Sequence, residues 1–145
     1  MAQIQEMWNK LNANERLVSW GALVVLASWL IGAVSGGGLG GGFIFAAAVL
    51  VIYYLKYSPG TNINWPLPIP TLILIGSAIA AIFAILGLLG VLAWFGVLGF
   101  LGAFLIGALL SVIGHAVGSV MMFMGSWREY QAMPKTPPPP APPSA

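Results

Sequence analysis

The chain has 145 residues, 59% of them hydrophobic and 6% charged, with five Lys and Arg against three Asp and Glu for a net charge of +2. A soluble domain carries about 25% charged residues, so these few cannot cover a water-facing surface, and lipid must take the place of water. The small net charge gives no footing for nucleic acid, and a chain without cysteine has no disulfides, thiol catalysis or Cys-ligated metals.

Residues 1–16 read as an amphipathic, interfacial amino-terminal segment. Ile4, Met7, Trp8 and Leu11 fall on one stripe of a short helix and the polar residues on the other, which suits the headgroup layer. Asn12, with Glu15 three residues on, predicts a helix start closed by a capping box. A first membrane span is expected over about 17–34. The SGGGLGGG stretch that follows predicts a turn; it lacks the Gly-Lys-Ser/Thr of a phosphate loop. A second span is expected over about 40–57, ending in Tyr53, Tyr54, Lys56 and Tyr57, residues suited to an interface.

Pro59-Gly60 is a turn, and Pro66, Pro68 and Pro70 alternate, which enforces an extended connector. From Tyr57 to Trp127 no Lys, Arg, Asp or Glu occurs. A span needs about 20 apolar residues, so the apolar run after the connector divides into a third span at about 71–89, a turn at Gly90–Gly96 and a fourth span at about 97–123. Residues 131–145, with the run PKTPPPPAPPSA, form a disordered Pro-rich tail that a cytoplasmic partner could read. The expected fold is all-α and polytopic: a transmembrane domain over 17–130 made of four helices in two helical hairpins. A barrel would need strands alternating with period two.

Charge sets the expected threading. With four spans, Lys10, Arg16, Lys56, Arg128 and Lys135 fall on one side and the uncharged turns on the other. The positive-inside rule then makes both termini cytoplasmic, in a cell inner or plasma membrane.

Within the spans, away from their interfacial ends, the one titratable residue is His115. Gly99, Ala103, Gly107, Ser111, His115 and Ser119 recur at four-residue steps, a strip of small residues that admits close helix approach, and Gly114 and Gly118 add a GxxxG beside it. Gly76, Ala80 and Ala84 offer a matching strip on the third span, so those two faces are expected to pack together. His115 has three readings: a polar clasp to Ser111, Ser119 or a backbone carbonyl, axial ligation of a haem or chlorin, and a proton relay. No catalytic set can be assembled, because the three carboxylates lie outside the spans. The sequence therefore predicts a non-enzymatic accessory or scaffolding component, with a membrane-protein partner or a second copy. Two other readings stay open: a cofactor-binding subunit of an electron-transfer or light-harvesting complex, and a small pore or carrier for neutral solutes.

Overall fold

The structure, a computed structural model, describes residues 2–35, 41–58, 60, 63–98 and 104–134. All regular structure among them is helical: α1 (Ala2–Lys10), α2 (Ala13–Val34), α3 (Gly42–Tyr57), α4 (Ile69–Leu98) and α5 (Phe104–Gln131). Three of these, α2, α4 and α5, are long and apolar enough to cross a membrane. The expected second span is shorter than predicted. At 16 residues, α3 is about 24 Å long, less than the ~30 Å hydrocarbon core.

α1 does not stand apart from the rest. Its Glu6 and Lys10 pair at 2.8 Å on the outer face, and this ammonium holds the Glu6 carboxyl below its ordinary range. On the inner face Trp8 meets Trp20 edge-on at 5.4 Å, and Leu11, just past the helix end, is buried. α2 then opens with the capping box expected at Asn12. The Glu15 N–H donates to Asn12 Oδ1 at 2.9 Å, and the Asn12 N–H donates to Glu15 Oε2 at 2.9 Å. Replacing Asn12 with Ala is expected to cost about 1 kcal/mol. Asn12→Asp should retain most of that stability in detergent unfolding, because the acceptor oxygen is kept.

The predicted turn at Gly90–Gly96 is absent. α4 starts two residues earlier than expected, with Pro70 in its first turn where no N–H is needed, and it runs unbroken to Leu98. A glycine inside a helix costs only about 1 kcal/mol, whereas an unpaired peptide group in lipid costs several. Gly90 and Gly96 therefore stay helical. α5 is displaced accordingly, beginning seven residues later than predicted and continuing through Trp127 and Arg128 to Gln131. The centre of the glycine turn, Gly99, Ala103 and the Pro-rich tail from Lys135 onward lie outside the described residues.

α2, α3, α4 and α5 form a ring in which each packs on two neighbours: α2 on α5 and α3, and α4 on α3 and α5. Neighbours run antiparallel. Gly125 of α5 lies against Asn14 and Val18 at the start of α2, while Gly107 lies against Ser35 at its end. α3 pairs with the first half of α4, through Val49 on Gly76 and the stacked rings of Phe45 and Phe83 at 5.9 Å. The second half of α4 extends past the start of α3, and there Ile82, Ile85, Leu86, Leu89 and Leu92 face outward.

Candidate functional site

The closest helix contact is between α2 and α5, not between α4 and α5. Asn14, Val18, Gly21, Val25, Ser28, Gly32 and Ser35 of α2 lie against Gly107, Ser111, Gly114, Gly118, Met122 and Gly125 of α5. On α2 the steps alternate between four and three, the 3.5-residue repeat of a left-handed coiled coil. Glycine is needed on this seam for close approach. A Cβ on Gly118 would stand 2.6 Å from the Gly21 carbonyl oxygen, and one on Gly21 would stand 2.5 Å from that of Gly118. Serine fills the remaining small positions and can satisfy its hydroxyl locally. Ser28 Oγ donates to Val24 O at 2.6 Å, Ser35 Oγ to Ile31 O at 2.6 Å, and Ser111 Oγ crosses the seam to Ser28 O at 2.7 Å.

The small strip read from the sequence is thus divided between two surfaces. Gly107 and Ser111 face α2. Ser119 faces α4, where its Oγ donates to Ala80 O at 3.3 Å, and His115 reaches across the ring to α3. On α4, Ala80 and Ala84 are buried, but Gly76 meets Val49 of α3. The strip divides because a face read at four-residue steps turns slowly around a 3.6-residue helix; over several turns it passes from one neighbour to the next.

His115 is 8% exposed, and its Nε2 has no hydrogen-bond partner. The hydroxyls expected to clasp it are engaged elsewhere, Ser111 on Ser28 and Ser119 on Ala80. Its ring lies instead against the first turn of α3: a Cβ on Gly42 would stand 2.3 Å from Nε2, and the Phe83 side chain closes the other flank of Gly42. The ring therefore packs directly on the α3 backbone at Gly42. Among the described residues, Trp29 Nε1, Tyr53 Oη and Ser77 Oγ are also buried without a hydrogen-bond partner.

A second polar cluster ties the far ends of α2 and α3 together. Glu15 is 1% exposed. Its carboxylate pairs with Lys56 Nζ, accepts the Tyr57 hydroxyl at 2.7 Å and also closes the Asn12 cap. The sequence offered one clue to this contact, since the predicted threading puts Glu15 and Lys56 on the same side of the membrane. Trp20, Tyr54, Trp127 and Tyr130 are exposed in the same end region, where Trp127 stacks between Phe123 and Tyr130. Aromatic rings of this kind collect at the membrane–water interface. Compared with protein-family models, with curated proteins and with solved structures, the chain matches none.

Proposed function

We propose that this membrane-spanning protein is a non-enzymatic accessory or scaffolding component of a larger membrane assembly. Its observed use of interior polar groups carries the reading. Glu15 holds α3 to α2 through Lys56 and Tyr57, Ser111 holds α5 to α2, and Ser119 holds α5 to α4. These groups join helices, so they are committed to the fold rather than to a substrate. The outer half of α4 supports the same reading: Ile85, Leu86, Leu89 and Leu92 give it an apolar face open to lipid, a membrane partner or a second copy. The test is a photo-crosslinking side chain at Leu89 in native membranes. Recovery of a discrete protein adduct is the expected result, and adducts to lipid alone would overturn the proposal.

In the threading we propose, four segments cross, with α3 in the second of them, and both termini are cytoplasmic in an inner or plasma membrane. The Glu15–Lys56 pair and the approach of Gly125 to Asn14 support it, because they bring the start of α2 and the ends of α3 and α5 together. The Pro-rich tail would then meet cytoplasmic partners. Protease-cleavable tags at each terminus should both be protected in sealed right-side-out vesicles and both be cut in inverted ones. Opposite behaviour of the two tags refutes the threading.

A further inference from the structure

We infer that Arg16 and the outward stripe of α2 below it form a site for one anionic phospholipid, an interaction that the scaffolding role proposed above does not require. Arg16, Trp20, Leu23, Ala27, Leu30 and Val34 follow one another at alternating steps of four and three, and all are exposed. Such spacing keeps them on one helix face. From Trp20 to Leu30 that face is apolar over about 15 Å, half of the hydrocarbon core and so the depth of one leaflet. Ala27, between Leu23 and Leu30, leaves a shallow notch. An acyl chain can lie along this track while its headgroup stays level with Arg16.

Helix α1 fixes the head of the track. The Arg16 guanidinium donates through Nη2 to Asn9 O at 3.4 Å. That contact uses one of its five N–H donors and leaves the rest free. One turn along α2, Trp20 meets Trp8 of α1 edge-on at 5.4 Å. The contact steadies the indole, which remains 54% exposed. α1 thus flanks both the charged head of the site and its first apolar ring.

Charge complementarity names the headgroup. The chain has three carboxylates. Glu6 pairs with Lys10, and Glu15, the residue before Arg16, pairs with Lys56. Among the described residues no carboxylate pairs with Arg16. A guanidinium with free donors matches two oxygens of a phosphodiester in a bidentate fork. A zwitterionic headgroup adds an ammonium, and neither Glu6 nor Glu15 is free to receive it. A headgroup with net negative charge therefore suits the site. Arg128 is also exposed at this end, but it sits beside Glu129, whose charge offsets its own.

The test is native mass spectrometry of the full-length protein in mild detergent. It would be titrated with dioleoyl phosphatidylglycerol, with phosphatidylcholine of the same chains, and with glycerol phosphate. One phosphatidylglycerol is expected to bind at a half-saturating concentration about tenfold below that of phosphatidylcholine. Arg16→Gln, an exposed change that leaves the Asn12 cap and the Glu15–Lys56 pair in place, should erase that preference, and Arg128→Gln should keep it. Glycerol phosphate has the charge without the chains and should bind far more weakly than the lipid. Circular dichroism checks that both variants fold, and the wild-type comparison decides the question without either. Equal affinity for the two lipids, equal losses in Arg16→Gln and Arg128→Gln, or glycerol phosphate binding as tightly as the lipid each overturns the site.

Discussion

Replacing Gly118 with Val should destabilise the protein by about 3 kcal/mol, the upper part of the usual range for overpacking. The new Cβ would meet the Val25 side chain, with Cγ2 at 2.8 Å, and also backbone: the Gly21 carbonyl oxygen at 2.6 Å and the Val25 nitrogen at 2.9 Å. No truncation on α2 can clear the backbone atoms, so α2 and α5 must separate along the seam. In lipid that separation forfeits the van der Waals contact that drives helix association. Two comparisons make the prediction specific. A Cβ on Gly114 meets only the Ser28 side chain, so Gly114→Ala should be rescued by Ser28→Gly, whereas Gly118→Val should not be rescued by Val25→Ala. At Gly87 nothing lies within 4 Å, and Gly87→Ala should raise stability by up to about 1 kcal/mol through helix propensity. Unfolding by SDS titration in bicelles measures all of these. Equal losses at Gly118 and Gly87 would remove the seam as the cause.

Breaking the Glu15–Lys56 pair should have an effect of similar size, and the two halves should differ. Removing one partner of a buried pair costs about 3–5 kcal/mol, because the other charge is left unpaired. The Lys56 side chain is 31% exposed and that of Glu15 is 1% exposed, so water can reach an orphaned ammonium far more easily than an orphaned carboxylate. Lys56→Met should therefore cost more than Glu15→Gln, with the latter near or below about 3 kcal/mol. The double variant should recover part of the sum, since neither charge remains, and a double-mutant cycle by SDS titration gives the coupling directly. Strict additivity of the two losses would mean that the pair does not hold α2 to α3.

Much of this architecture could be read locally from the sequence. The Asn12 cap was legible because both donors and both acceptors lie within four residues. His115 was conspicuous as the one ionisable group in an apolar run. The choice of helix partner was not legible in the same way. Small residues on α5 were followed at four-residue steps and paired with α4, the neighbour in sequence. The signal for α2 was present at seven-residue spacing, in Val18, Val25 and Gly32 and in Gly21, Ser28 and Ser35, but a repeat on one helix does not name the helix it meets. Gly90 and Gly96 were misread for a different reason. Glycine density marks turns where water can bond the freed backbone, and lipid offers no such bonds. The partnerless nitrogens of His115 and Trp29 could not be foreseen at all, since they depend on where the short α3 happens to begin.

The seam also bears on how the protein is made. It joins α2 to α5, which leaves the ribosome only after α3 and α4 have been made. Until α5 is synthesised, Gly21, Ser28 and Ser35 of α2 face lipid or a quality-control factor, with a shallow groove where a neighbour should be. Such late, distant pairing slows assembly and leaves the unfinished chain vulnerable. A nascent chain stopped before Gly107 would carry most of the hydrophobic mass and none of the closure, and membrane proteases should clear it faster than the complete product.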